Sequence, residues 1–476
     1  MRPRFPRLAV LMLVLACAVR PVLAQPALSI QGVNDSESGL LVAIAQSYPR
    51  VRQMRTKSET GEVARLGRSR VGLVRAQRDL RAVRANLARL SRGGVPTQAL
   101  FHAIAPDGRL QVWLIPARGA IITERSALPY AGLGNLPDGL GVTRFALSRG
   151  PQLKGARQRS AALPTLDAEE SAEDMRGTPA TVARRMATLQ QTSAMLLPGG
   201  IGRALAATSG RLLVLPARDT GTAPYAALPM GGTGSPAALR WSFVVMQDIQ
   251  TLASPRHGFD MSRVDPARAV VVGDPDTMRD VRYSFPPLPG ARAEALAVAR
   301  QLAVNPQNVL IGAQASRSNV VRAINRLNGG GIVYMATHAI ADARNPLTRG
   351  FVVLDQTNLF AGELRATRFR GWATNHPLVV MSACQTGLGR VFEGGTFGVA
   401  RTWTDAGAGQ VVASLWNVSD HPTMLLMTRF TSALKAGESP ERAMQIAQLQ
   451  TLKDYPDNPK MWASFTIIGK PTLPSN

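Results

Sequence analysis

The chain has 476 residues, 45% of them hydrophobic and 18% charged, a composition that excludes a disordered or fibrous chain and allows one large α/β domain or two to three smaller ones. Lysine and arginine number 55 against 31 acidic residues, for a formal net charge of +24, which favours contact with anionic surfaces. Aromatic residues are only 5%, too few for base stacking, so no nucleic-acid partner is expected.

Arg2, Arg4 and Arg7 precede an apolar run, "LAVLMLVLACAV" (8–19), and "VLA" (22–24) has the small-residue spacing of a cleavage site before Gln25. Residues 1–24 are read as a signal peptide, too short to span a membrane, and the protein is expected to be exported, periplasmic or extracellular. Lipidation at Cys17 is the weaker alternative. Removal of 1–24 leaves Cys384 as the sole cysteine, so no disulfide within one chain is expected.

Residues 25–95 read as a basic helical region. In "RSRVGLVRAQRDLRAVRANLARL" (68–90), Leu73, Ala76, Leu80, Val83, Leu87 and Leu90 recur at steps of three and four. That spacing makes one apolar stripe, with arginines on the other faces. The stripe suits packing on the body of the protein, a hairpin with 39–66, or a short coiled coil. No repeat of tetratricopeptide length is visible.

One α/β domain is expected over 96–476. "LFHAIAPDGRLQVWLI" (100–115) reads as a hairpin around a Pro-Asp-Gly turn. Residues 150–180 are polar, basic then acidic, and read as an exposed loop. "RLLVLPA" (211–217) is a strand. From 268 onward strands and helices alternate: strands at 268–275, 331–338, 376–384 and 409–418, helices at 290–302, 316–329, 395–407, 422–437 and 439–454, and a hairpin insert at 349–364. Continuous apolar strands separated by helices imply a mostly parallel sheet covered on both faces.

Sites in open parallel sheets lie beyond the carboxyl ends of the strands. His338 and Cys384 close two of the expected strands, 46 positions apart. If those strands are neighbours, both side chains emerge at one edge, where an imidazole can take a thiol proton. Gly387 and Gly389 allow a tight turn and close approach of a substrate carbonyl. The backbone N–H groups of Cys384 and of the residue after His338 suit an oxyanion hole. The chemistry is acyl transfer by a cysteine nucleophile with a histidine base. Each residue alone has an ordinary structural explanation: a buried thiol, or a strand-end histidine bonded to backbone.

The segments "YMATHA", "VVMSACQTGLGR", "EGGTFGVARTWTDAGAGQVVASLWNVSDHPT" and "WASFTIIG" resemble the CHAT domain, a caspase- and separase-related group of cysteine peptidases of clan CD. "LLVLPARDTGTAPYAALP" (212–229), "VVVGDP" (270–275) and "PLPGARAEA" (287–295) extend the likeness. The resemblance implies a caspase-like sheet flanked by helices, preceded by a short helical region. It implies His338 as base, Cys384 as nucleophile, and the amides of Ala339 and Cys384 as oxyanion hole. The family usually has glycine where this chain has Ala339. It implies a cysteine endopeptidase that needs no cofactor and acts on a protein or peptide substrate. A protein activator is a further candidate partner.

Asp420, beyond the "SLWNV" strand, is a candidate receptor for a basic substrate side chain or else an N-cap for the next helix. Trp416 either lines the pocket or packs, and Glu393 is read as structural. His102, His257, His376 and His421 lack ligand spacing, so no metal site is expected. "GGTGSP" (231–236) lacks the ending of a phosphate loop. The alternative functions are a catalytically silent scaffold that recruits a partner through 25–95, and a surface-attached protein that uses its arginines.

Overall fold

The computed structural model describes residues 37–56, 70–133, 178–254, 258–276, 285, 287–342, 345–383, 386–387, 389–392 and 395–474. Residues 1–24 and Gln25, Cys384, Glu393, His257 and all but the last three residues of the 150–180 loop lie outside the described residues.

The arginine-rich segment forms a helix, Arg70–Leu90. Its expected stripe is the face it buries: Ala76, Leu80, Val83, Leu87 and Leu90 are buried and Leu73 packs against the same cluster. Burying each of the three leucines contributes roughly 1.5–3 kcal/mol. The helix lies against Glu37–Thr56, against the short helix Ile249–Ala253 and on the sheet. The buried Asn86 side chain donates to the Leu252 carbonyl at 2.8 Å. Leu40, Ala43 and Ile44 join the same core, so this region shares its apolar interior with the sheet.

The sheet has eleven strands. β1 (Thr97–Ile104) and β2 (Arg109–Ile115) make the expected hairpin, and β3 (Ile122–Pro129) extends it. The turn holds Gly108 at φ 79°, a left-handed conformation that favours glycine. There follow β4 (Gly210–Leu215), β5 (Trp241–Val245), β6 (Ala269–Pro275), β7 (Val309–Gly312) and β8 (Ile332–Ala336). A small separate sheet contains β9 (Ala339–Ile340), β10 (Phe351–Val352) and β11 (Leu359–Phe360). β12 (Leu378–Ser382) returns to the main sheet, and β13 (Gly389–Phe392) and β14 (Gly395–Gly398) pair as a hairpin. β15 (Gln410–Ser414) and β16 (Phe465–Gly469) complete the main sheet.

The order is β3-β2-β1-β4-β5-β16-β15-β12-β8-β6-β7. It contains two parallel blocks. β1, β4, β5 and β16 run one way. β15, β12, β8, β6 and β7 run the other way. The blocks meet where β15 pairs antiparallel with β16. The carboxyl ends of one block therefore lie along the edge opposite to those of the other.

Alternate strand residues serve opposite faces, as the pleat requires. On one face, Val271, Tyr334, Val380 and Val412 meet the helices Pro289–Leu302 and Asp420–Lys435. On the other, Val272, Met335, Val379 and Val411 meet Arg317–Arg326 and Val399–Asp405. The helix expected over 316–329 begins with Ser316 as its cap, accepting from the Asn319 amide. The helix expected over 395–407 begins only at Val399, because Gly395–Gly398 pair in the hairpin instead.

Candidate active site

β8 and β12 are parallel neighbours. Ile332 pairs with Leu378, Val333 with Val379, Tyr334 with Val380, Met335 with Met381 and Ala336 with Ser382. Every pair has the offset that separates His338 from Cys384 in the sequence. Both strands stop earlier than their apolar runs suggested, at Ala336 and Ser382 rather than at 338 and 384. The reason at β8 is competition from the insert. Thr337 Oγ1 donates to the Val353 carbonyl at 2.9 Å, and the His338 carbonyl accepts from the Val353 amide at 2.9 Å. The chain therefore leaves one sheet and enters another at the histidine.

His338 is buried, 8% exposed. Its ring stacks on Phe285, with centroids 5.2 Å apart and planes at 28°. Phe285 in turn meets Phe351 edge-on at 6.3 Å. The imidazole thus has an aromatic wall on one side, which fixes the plane in which its nitrogens can act. No local sequence pattern singles out Phe285.

Ala339 opens β9 and pairs with Val352. The bond from the Val353 amide to the His338 carbonyl makes Ala339–Val352 the non-hydrogen-bonded pair of that ladder, so the Ala339 N–H points away from β10. Its φ is not positive, and a Cβ at this position carries no backbone strain.

Cys384 itself is outside the described residues. The residues flanking it are held by the end of β15. The Ala383 carbonyl accepts from Ser414 Oγ, and the Thr386 amide donates back to Ser414 Oγ at 3.2 Å. The Ser414 amide donates to Thr386 Oγ1 at 2.9 Å, and the Gly387 amide to the Ser414 carbonyl at 2.8 Å. A Cβ on Gly387 would lie 2.9 Å from that carbonyl, so this close approach requires glycine.

Behind the two strands lies a group the sequence reading missed. Glu294, on Pro289–Leu302, is 3% exposed. Its carboxyl accepts from the Tyr334 hydroxyl at 2.6 Å and is hydrogen-bonded to Ser382. Burial pushes the Glu294 carboxyl up to about 7, and the charge of Asp420 adds to the rise. Burial and the neighbouring glutamate push the Tyr334 phenol well up. The signal was available. Glu294, Ala295, Val298, Ala299 and Leu302 share the buried face of their helix, so the acid occupies a core position of an otherwise apolar stripe.

Asp420 is exposed in the first turn of Asp420–Lys435, and Ser419 takes the cap position expected for it. The helix starts two residues earlier than expected, and a first-turn carboxylate favours the helix dipole. Its carboxylate also lies close to Gly290, at the start of Pro289–Leu302. Trp416 is buried. It is 1% exposed, its indole N–H donates to the Lys460 carbonyl at 3.2 Å, and it packs with Leu415, Trp462 and Ala463. The other histidines lie elsewhere. His102 is buried against Tyr225 and bonded to the Leu196 carbonyl, and burial pushes it down to about 4. His376 bonds the Gly407 carbonyl, and His421 is exposed.

The CHAT domain family model matches residues 186–470. Tetratricopeptide repeat protein 28 of Mus musculus is 27% identical over 239 residues, which cover 42% of this chain. The match spans only 9% of that protein's length. Among solved structures, the Arg-specific cysteine proteinase gingipain R is similar with a TM-score of 0.38 and 13% identity, over 63% of this chain and 70% of that one. The Saccharomyces cerevisiae separase–securin complex is similar with a TM-score of 0.49 and 10% identity, over 93% of this chain and 34% of that one.

Proposed function

Because the chain belongs to the CHAT domain family and folds as a caspase-like α/β protein, we propose that it is a cysteine endopeptidase with a Cys384–His338 dyad. The observation that carries this reading is the β8–β12 register, whose constant offset equals the interval between the two residues. In the reaction, His338 accepts the Cys384 thiol proton and the thiolate attacks the peptide carbonyl carbon. The oxyanion that forms receives hydrogen bonds from the Ala339 and Cys384 amides. The C–N bond breaks as His338 returns its proton to the leaving amine. Water, deprotonated by His338, then attacks the thioester, and the acid product leaves as the thiol is restored.

Asp420 is the proposed receptor for a basic substrate side chain. Its exposure supports this role, although the carboxylate is shared with two helix starts. Residues 1–24 support export to the periplasm or beyond, and the arginine excess supports contact with an anionic surface. The silent-scaffold alternative relied on a recruiting face in 25–95. Among the described residues, the stripe of Arg70–Leu90 is already covered by the chain's own core.

The test is cleavage of a diverse peptide library by the purified protein beside Cys384→Ala and His338→Ala. Cutting by the wild type alone supports the dyad, and a preference for a basic residue before the cut that is lost in Asp420→Asn supports the receptor. Equal cutting by wild type and Cys384→Ala overturns the assignment.

A further inference from the structure

The edge of the sheet opposite His338 contains a cavity of about 410 Å³. It lies where the two parallel blocks meet, beyond the carboxyl ends of β5 and β16 and before the start of β15. Gln247 and Thr251 line it after β5, Gly469 and Lys470 at the end of β16, and Thr404 and Asp405 at the end of the Val399–Asp405 helix. Arg365 and Arg368 complete the wall. Ligands of open α/β sheets gather at carboxyl strand ends where the strand order switches. This cavity has that position for the β1-β4-β5-β16 block.

Its charges do not cancel. Among the described residues Asp405 is the one carboxylate in the wall, and Arg365 lies 3.4 Å from it. Arg368 makes no ion pair among the described residues. Lys470 is half-buried, and its ammonium donates not to a carboxylate but to His376 Nε2 at 3.0 Å. His376 Nδ1 lies 3.0 Å from the Gly407 carbonyl, which makes Nε2 the acceptor and leaves two Lys470 N–H groups for the cavity. Burial with no compensating anion pushes Lys470 down to about 8. The floor is pinched: Gly469 has φ 142°, and a Cβ there would strike the Gly409 carbonyl.

We propose that this cavity binds a small phosphate monoester. The unmatched Arg368 and Lys470 answer the two charges of the phosphate group. The Thr251 hydroxyl donates to Asp248 at 2.7 Å and the Gln247 amide nitrogen donates to Thr404 Oγ1, so the side-chain oxygens of Thr251 and Gln247 are left as acceptors for a hydroxyl-bearing remainder. The volume accommodates a ligand of metabolite size. The proposal does not depend on Cys384 being catalytic.

Calorimetric titration of the purified protein tests it, with inorganic phosphate and glycerol 3-phosphate as soluble probes. Phosphatidylcholine vesicles containing phosphatidic acid present the same group on a lipid. The expected result is saturable one-site binding of both soluble probes, weakened about tenfold or more by Arg368→Gln and by Lys470→Met. Arg322→Gln, an exposed change outside the cavity wall, is expected to leave the affinity within about twofold. Three results overturn the proposal: no saturable binding of either soluble probe, equal weakening by Arg322→Gln and Arg368→Gln, or binding to vesicles alone.

Discussion

Each half of the sheet buries a glutamate beneath its strands, and the two are neutralised differently. Under β4, Glu441 meets the Arg211 guanidinium at 2.6 Å, with side-chain exposures of 1% and 7%. It also accepts from the Thr472 hydroxyl at 2.7 Å. Under β8 and β12, Glu294 has hydroxyl partners, Tyr334 and Ser382, and the like charge of Asp420 nearby. The first arrangement joins β4, the helix Pro440–Asp454 and the segment after β16 through an ion pair and its hydrogen bonds. The second leaves a carboxyl that titrates near neutrality directly behind the proposed dyad. A buried acid becomes a clasp or a titrating group according to whether its partner carries a charge.

Substitution of the dyad sharpens this contrast most, since the chemistry is assigned to one half alone. His338→Ala is expected to lower kcat by about a thousandfold or more in peptide cleavage. Next comes the clasp. Glu441→Ala leaves Arg211 buried without its partner, and a loss of roughly 3–5 kcal/mol is expected in urea unfolding. A loss below about 1 kcal/mol would break the comparison by showing the pair to be dispensable.

Glu294→Gln tests the other half through pH rather than magnitude. The carboxyl is raised from its ordinary 4.5 to about 7, so between these values the folded chain holds a proton that the unfolded chain has released. The stability this contributes is complete below pH 4.5 and disappears as pH rises through 7, a difference of roughly 3 kcal/mol. Unfolding midpoints at pH 5 and pH 8 should therefore lie closer together in Glu294→Gln than in the wild type. An unchanged gap would mean that the carboxyl titrates normally. The smallest effect is expected at the aromatic wall. Phe285→Leu loses the ring that stacks on His338, and a fall of about threefold to tenfold in kcat is expected, with KM little changed.

The half that contains the proposed dyad was the more legible in sequence. Its strands alternate with helices in chain order, so the apolar runs at 268–275, 331–338 and 376–384 pointed to adjacent parallel strands. The ends of the last two were misjudged because hydrophobicity continues past the last ladder bond. Thr337 and His338 are bonded to Val353 of the insert, a partner that no local pattern announces. Trp416 illustrates the same limit. β15 stops at Ser414, and beyond a strand end the two-residue alternation no longer says which way a side chain points. The other half was harder to read. β4, β5 and β16 are adjacent in space but begin at residues 210, 241 and 465, so the cavity between the blocks had no contiguous signature. Glu294 escaped notice for another reason: a charged residue is read as solvent-facing unless its helical phase is counted.

Among the described strands β16 is the last in sequence and the middle one of the eleven in the sheet, with five on either side. A ribosome therefore delivers the centre of this sheet after everything that flanks it. Until Phe465–Gly469 emerge, β5 and β15 present unpaired edges to each other across an empty place, and neither block can settle against its neighbour. Contacts so distant in sequence form late and slowly. The two blocks therefore join only once β16 is made, a late step compatible with the export proposed from the first 24 residues.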